Sequence, residues 1–393
     1  MGYRSKPRSH LVSVIANRVA PAAGLASHLG RAFRRIGTDA LVGGRRALPR
    51  TVAELDAAAL SSIIGRTVTS VSVLDADAGT SSRARLALTG DNVPATVFVK
   101  MAAETLATRL MGELGNLADT ETRFYRQLAP ELAGVPLSFG SRFDPATGRF
   151  VLVLEDLADP SASSCEFPDT LHPIDPDRAA LVVELLARLH GTFWGRLPAR
   201  GRTGPLGWLY TASGDSASLL TAPLLRTAAR RIAERTDLPV HRGRFIDENY
   251  RAVAALVDRP PHTVMHGDAH PGNLYFRDGK AGLLDWQAVR RGHPGRELAY
   301  TLVTSMTTDD RQRTQQDLLD VYRRALAAAG GPDIDRDELW HRYRQGALYP
   351  YVAALITAGM GGMQVEDIAM KGLARSLNAL QDLDTVALLQ RSL

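Results

Sequence analysis

The polar residues of this 393-residue chain gather most densely at His266-Gly267-Asp268-Ala269-His270-Pro271-Gly272-Asn273. A further carboxylate, Asp285, stands seventeen residues beyond Asp268, at the end of the apolar run Gly282-Leu283-Leu284. Apolar, strand-like stretches flank the cluster on both sides. Phosphoryl transfer needs such a set. One carboxylate accepts the proton of an attacking hydroxyl, while a second carboxylate and a carboxamide oxygen are hard ligands suited to Mg2+ on a polyphosphate. The same residues also read as a metallohydrolase set, His266-x-Asp268-x-His270 with Asp285 as a fourth ligand.

The composite spacing, His266-Gly267-Asp268-x-x-x-x-Asn273 followed by Asp285, resembles the catalytic loop and metal-binding aspartate of the protein-kinase-like fold. It is similar to the small-molecule branch, the aminoglycoside phosphotransferases and choline- and ecdysteroid-kinase-like proteins, whose loop reads His-Gly-Asp-x-His-x-x-Asn. The resemblance covers residues 51–393. It implies an α+β, bilobal protein-kinase-like fold, with an antiparallel-sheet N-terminal lobe and a mostly helical C-terminal lobe. By position it implies Asp268 as catalytic base and Asn273 and Asp285 as Mg2+ ligands. His266 would brace the loop and His270 would support it by hydrogen bonding. ATP and Mg2+ are the implied cofactors and a small hydroxylated molecule the implied acceptor.

The same family fold asks for a lysine on the third strand and a glutamate on the next helix. Lys100 ends the run Val97-Phe98-Val99 and is one of four lysines, with Lys6, Lys280 and Lys371, among 47 basic residues. Its placement is therefore not compositional noise, and its compact ammonium suits phosphate oxygens in a narrow site. Glu121, in Glu121-Thr122-Arg123-Phe124-Tyr125, resembles the family's Glu-x-x-Phe-Tyr segment and is the expected partner; Glu104 and Glu113 are weaker candidates. Val151-Leu152-Val153-Leu154-Glu155-Asp156-Leu157 resembles the strand into the hinge, so the backbone of Glu155 and Leu157 is expected to meet an adenine edge. The protein-kinase Gly-x-Gly-x-x-Gly loop is missing. Asp77-Ala78-Gly79-Thr80-Ser81-Ser82 stands in its place, with Ser81 and Ser82 as the expected nucleotide contacts. No P-loop sequence occurs. Gly292-His293-Pro294-Gly295-Arg296-Glu297-Leu298-Ala299 resembles the family's Gly-x-Pro-x-x-Asp-Leu-Ala, with Glu297 in the aspartate's place and a buttressing role implied. Trp286-Gln287 replaces the Phe-Gly of regulated protein kinases, so neither a phosphorylation-gated segment nor a protein substrate is expected. The metallohydrolase reading leaves Lys100, Glu121 and residues 155–157 without a role. A catalytically silent nucleotide-binding module is the other alternative, though every core catalytic position is present.

These groups must be held by elements that the chain's periodicity outlines. Thr51-Val52-Ala53-Glu54 reads as a capping box opening the first helix of the body. From residue 68 to 100 the alternation of Ala84, Leu86 and Leu88 with Arg83, Arg85 and Ala87, and turn signals at 75–80 and 90–94, predict three antiparallel strands. Helical sequence follows to about 129, with a break at 112–115. Strands are expected near 135–139 and 150–154, and Asp175-Pro176 is a helix start. Residues 262–285 read as strand, loop, strand, turn, strand, and helices fill most of the remainder. The resulting division is a basic arm at 1–50, an N-terminal lobe at 51–157 with its hinge at 155–157, and a C-terminal lobe at 158–393 carrying the catalytic loop and acceptor site.

Composition sets the outer limits. With 45% hydrophobic and 23% charged residues, global disorder is excluded, and one cysteine, Cys165, excludes a disulfide scaffold and suits a reducing cytoplasm. No eighteen-residue apolar run is present, residues 11–20 make a poor secretory signal, and Lys6 occupies the position where myristoylation wants Ser or Thr. Residues 1–50 hold nine arginines and Lys6 against one acid, Asp39, so this stretch alone exceeds the whole-chain charge of +5. It is expected to be a solvated extension, dispensable for the fold, with weak contact to anionic surfaces and no nucleic-acid partner. Beyond residue 300 acids outnumber bases twelve to ten, too even for a polycation pocket. Trp340, Tyr343, Tyr349, Tyr351, Met360 and Met363 are candidates to line an apolar acceptor cleft, with helix-bundle core as the plainer reading.

Overall fold

The computed structural model describes residues 8–43, 48–159, 161, 164–198, 204, 206–362 and 364–393. The expectations resting on Lys6 and Met363 lie outside them.

The N-terminal stretch is a 35-residue helix, α1 (Arg8–Val42). Instead of extending into solvent, its second half is docked. Asp39 is 2% exposed and takes Arg149 Nε on Oδ1 at 2.5 Å and Arg149 Nη2 on Oδ2 at 2.7 Å, with Arg109 paired to Oδ2 as well. His28 Nε2 donates to the Glu113 carbonyl at 2.9 Å, and Arg35 Nη1 pairs with Glu113 Oε2 at 2.8 Å. The charge count hid this docking, because the stretch's single acid is the residue buried between arginines from elsewhere. The capping box does not form either. Residues Val52–Glu54 make one 3-10 turn without a cap from Thr51. The next helix, α2 (Ala57–Ile64), begins later, where the Asp56 carboxylate accepts from Ala59 N at 2.7 Å.

A five-stranded antiparallel sheet follows: β1 (Val68–Ala78), β2 (Ser81–Gly90) and β3 (Thr96–Ala102), then α3 (Leu106–Leu114) and α4 (Leu117–Gln127), then β4 (Ser138–Phe143) and β5 (Phe150–Glu155). Spatial order is β1-β2-β3-β5-β4. Period-two alternation gives the sheet two faces. Ala84, Leu86, Leu88, Val97, Val99, Val151 and Val153 pack with Leu55 and Leu60 as one core. Phe150, Leu152 and Leu154 point the other way and join Phe124, Tyr125 and Leu128 of the α4 region.

That second core runs without a break into the C-terminal lobe, where Leu186, Leu274, Trp286, Leu302 and Tyr322 belong to it. This lobe contains β6 (Cys165–Glu166), α5 (Pro176–Thr192), α6 (Thr221–Ala233), α7 (Arg244–Val257), β7 (Thr263–Met265), β8 (Leu274–Arg277), β9 (Lys280–Leu283), β10 (Arg290–Gly292) and α8 (Pro294–Ser305). It closes with α9 (Thr308–Ala328), α10 (Arg336–Gly346), α11 (Leu348–Met360), α12 (Glu366–Asp382) and α13 (Thr385–Ser392). Asp175 caps α5 as its sequence implied, accepting from Arg178 N at 2.8 Å. Two small antiparallel units, β7 with β10 and β6-β8-β9, frame the loop between β7 and β8. Tyr343, Tyr349 and Tyr351 are core residues, 5% exposed or less, so the plainer reading holds for these three, whereas Trp340 is half-buried and Met360 is 36% exposed. Among the described residues no helix is long and apolar enough to cross a membrane.

Candidate active site

In the second half of strand β3, Lys100 is turned to the cleft face, one register step from Val99, which faces the upper core. Lys100 is 4% exposed, and its Nζ lies 2.7 Å from Glu121 Oε2 and donates to Asp285 Oδ1 at 2.7 Å. Gln287 Oε1 is a third, longer acceptor at 3.5 Å. Of the three glutamates weighed, Glu121 is thus the partner, while Glu113 is spent on α1.

Glu121 reaches this position because Phe124, one turn later on α4, stacks on Trp286 with ring centroids 4.0 Å apart and planes at 6°. The indole follows Asp285 directly and donates to the Leu283 carbonyl at 3.1 Å. Asp285 itself has φ +56°, a left-handed conformation that Asp tolerates better than most residues. Burial opposes all three charges. The two carboxylates nevertheless hold Lys100 above its ordinary value, and the ammonium holds Asp285 below the usual range. Burial and the Asp285 charge push Glu121 up to about 7 against the pull of Lys100.

The β7–β8 loop is braced from beneath. The Glu297 carboxylate accepts from His266 N at 3.1 Å, Gly267 N at 2.5 Å and His190 Nε2 at 2.8 Å. Burial would raise its pKa, but His190, His266 and the Gly267 N–H together keep it below the ordinary value. Gly267 is required here: φ is +86°, and a Cβ would lie 2.3 Å from the Ala288 carbonyl. His266 Nε2 donates to the Leu284 carbonyl at 2.7 Å and its Nδ1 accepts from Asp268 N at 3.2 Å. Both ring nitrogens are engaged, which removes His266 from the metallohydrolase ligand set. His270 Nδ1 accepts from Gly272 N at 3.1 Å, and its Nε2 stands 3.9 Å from Asp268 Oδ2.

Asp268 projects from this loop, its side chain 32% exposed, and its Oδ1 accepts from the Tyr300 hydroxyl at 2.6 Å. Asn273 Nδ2 donates to the Asp268 carbonyl at 2.9 Å, which leaves the amide oxygen free to accept or ligate. Asn273 and Asp285 line one cleft of about 830 Å³, together with Lys100, Glu121, Leu157 and Glu155. Two oxygen-donor side chains opening on such a cleft fit Mg2+, which takes few protein ligands and completes its shell with water and phosphate. Phe98, Leu154, Leu157 and Leu284 supply the apolar part of the cleft. The backbone N–H of Glu155 is already donated to the Leu137 carbonyl at 2.8 Å, and its carboxylate pairs with Arg277 at 2.5 Å.

Ser81 and Ser82 are placed differently from the other expected contacts. Both are buried in β2, paired with Ala102 and Met101, and the turn itself is Gly79-Thr80. Ser81 lines a smaller cavity with Thr80, Glu121 and Gln287, and neither serine is in the lining of the main cleft. Sequence reasoning passed over Tyr300, Arg83 and Arg85. Tyr300 lies three residues after Glu297 on α8, the helical spacing that turns both toward the β7–β8 loop. Arg83 and Arg85 read as the solvent side of an alternating strand, yet that side is the roof of the cleft.

A family model described as "Phosphotransferase enzyme family" (APH) matches residues 76–345, a span that takes in the whole constellation from Lys100 to Tyr300. The chain belongs to this phosphotransferase family. It is a small-molecule kinase, as the catalytic-loop resemblance implied. The choline kinase of Cryptosporidium parvum shares the phosphotransferase's fold with a TM-score of 0.53 and 9% identity, over 82% of this chain and 91% of its own. Choline kinase LicA from Streptococcus pneumoniae (TM-score 0.45, 14% identity, 80% and 94% covered) and macrolide 2'-phosphotransferase MphH from Brachybacterium faecium (0.45, 14%, 81% and 96%) are similar at lower scores. Among curated protein sequences, none matches the phosphotransferase. Its two-lobed architecture is the protein-kinase-like fold expected from the sequence.

Proposed function

We propose that this phosphotransferase moves the γ-phosphoryl group of ATP, with Mg2+, to a hydroxyl of a small molecule, and that Asp268 is the base. The observation that carries the reading is the convergence on Lys100: β3, α4 and the segment after β9 bring an ammonium within 2.7 Å of two carboxylates at the edge of one cleft. A lone surface lysine would not be held this way, since burying it costs free energy that only paired carboxylates offset.

The nucleotide's base fits between Phe98 and the apolar residues at Leu154, Leu157 and Leu284. Lys100, oriented by Glu121, meets the phosphate oxygens, and Asn273 and Asp285 would hold Mg2+. The ion supplies neutralisation of charge on the terminal phosphates. Asp268, oriented by Tyr300, accepts the hydroxyl's proton as the alcohol oxygen bonds to the γ-phosphorus and the bond to the bridging oxygen breaks, releasing ADP. Positioning and electrostatics account for most of the rate. The single cysteine remains compatible with a cytoplasmic setting.

The test is a screen of hydroxylated metabolites with MgATP, reading which compound gains phosphate. Asp268→Asn should lose turnover by at least about a hundredfold, the scale of one general base, and still bind nucleotide. A variant with full activity contradicts the assignment, and a wild type that binds ATP but phosphorylates nothing supports the silent module.

A further inference from the structure

We propose that Arg83 is a second cationic ligand of the nucleotide's phosphates, and that Asp77 occupies its guanidinium until they arrive. This rests on the nucleotide reading of the cleft given above.

The strand register carries the argument. Asp77 of β1 pairs with Arg83 of β2, and Arg83 pairs with Lys100 of β3. Directly opposed residues share a sheet face with their Cβ atoms about 5 Å apart. The three side chains therefore form one row across the roof of the cleft, reading acid, guanidinium, ammonium. The adjacent row has the same composition at its start, Asp75 opposite Arg85 opposite Phe98. The two arginines are nevertheless used differently. Arg85 is tied down: its Nε and Nη2 bond both oxygens of buried Asp156 at 2.9–3.1 Å, and Nη2 also donates to the Ala158 carbonyl at 3.0 Å. Arg85 is a structural tie between the sheet and the hinge.

Arg83 has no such anchor. Its Nη2 meets Asp77 Oδ2 at 2.5 Å, but the Asp77 side chain is 68% exposed at the hairpin end. The Arg83 side chain is 39% exposed, but its Nε atom is buried without any hydrogen-bond partner among the described residues, and the residue lines the cleft. A buried, unmatched guanidinium donor calls for an acceptor. Gly79, in the hairpin turn, is what leaves room: a Cβ there would lie 2.9 Å from Nη2.

Lys100 already places two of its three donors on Glu121 and Asp285, so Arg83 is the cation of this row with the larger unused donor capacity for a ligand. An exposed carboxylate is a weak, solvent-screened partner. A polyphosphate carries more charge and matches the guanidinium fork with two oxygens. Exchanging Asp77 for phosphate satisfies Nε. This assigns to Arg83 the phosphate contact that the sequence had suggested for Ser81 and Ser82.

The test is equilibrium binding of MgATP and of adenosine to the full chain. Arg83→Ala should weaken MgATP roughly tenfold or more, the scale of a charge-assisted hydrogen bond, and leave adenosine within about twofold. Asp77→Asn should tighten MgATP severalfold, because the competing anion is gone. Its exposed hairpin position keeps the fold safe, so this variant decides the matter even if Arg83→Ala misfolds. MgATP affinity unchanged in Arg83→Ala, or unchanged or weaker in Asp77→Asn, overturns the proposal while leaving the nucleotide reading intact. A wild type that binds neither MgATP nor adenosine instead removes the reading on which the proposal rests.

Discussion

At the scale of single residues, Tyr300 stands out. Its hydroxyl donates to Asp268 at 2.6 Å, and burial together with the Asp268 charge pushes its pKa well above that of an ordinary phenol. It therefore stays a donor across the working pH range and fixes one carboxylate oxygen while the other, Oδ2, faces His270 across 3.9 Å. Tyr300→Phe is expected to lower kcat about ten- to a hundredfold, the worth of one hydrogen bond to a charged group, with KM for the nucleotide unchanged. Steady-state kinetics check this: an equal change in nucleotide KM would place Tyr300 in binding instead. Glu297 is the complementary case, a buried carboxylate whose acceptor capacity is consumed by the backbone of His266 and Gly267 and by His190. It sets the loop from which Asp268 projects.

At the scale of elements, α1 has the larger consequence. Through Asp39, Arg109 and Arg149 it is tied to α3 and to the turn before β5, and through His28 and Arg35 to Glu113 at the end of α3. The helix that follows, α4, carries Glu121. Asp39→Asn leaves two buried guanidinium groups without their anion and should cost about 3 kcal/mol, within the range for breaking a buried pair. Burial raises the Asp39 pKa, but the two arginines outweigh it and leave the carboxyl below its ordinary value. The sign follows: the stabilisation is present above the unfolded carboxylate range and is lost as pH falls through the lower folded value. Thermal melts of wild type and Asp39→Asn should differ at pH 7 and draw together as pH falls below the ordinary carboxylate range. Melting curves that stay parallel across that range would locate the effect elsewhere. Removal of residues 1–43 is expected to destabilise the chain, contrary to the expectation of a dispensable arm.

At the scale of the whole molecule, the two lobes share one hydrophobic core, and the Phe124–Trp286 stack lies within it. This contact joins the helix bearing Glu121 to the segment bearing Asp285. Phe124→Ala should therefore cost about 3–5 kcal/mol and reduce turnover together with stability. Chemical denaturation and kinetics on the same preparation test the coupling; a destabilised variant with wild-type kcat would mean that the ion pair holds itself together without the stack.

What the sequence determined alone is the chemistry with local spacing. His266 to Asn273, Asp285 after an apolar strand, Lys100 at the end of Val97-Phe98-Val99 and the Asp175-Pro176 helix start are short-range patterns, and each sits in the kind of element its pattern predicted. Tertiary structure alone decided which face of a strand meets solvent and which charge meets its partner. Arg83 and Arg85 alternate with apolar residues as any half-exposed strand would, and only the second lobe turns their side into a cleft roof. Asp39 was one acid among ten bases until Arg109 and Arg149, far along the chain, folded around it. Periodicity reports where a side chain points relative to its own backbone, whereas burial and pairing depend on what the rest of the chain brings to that side.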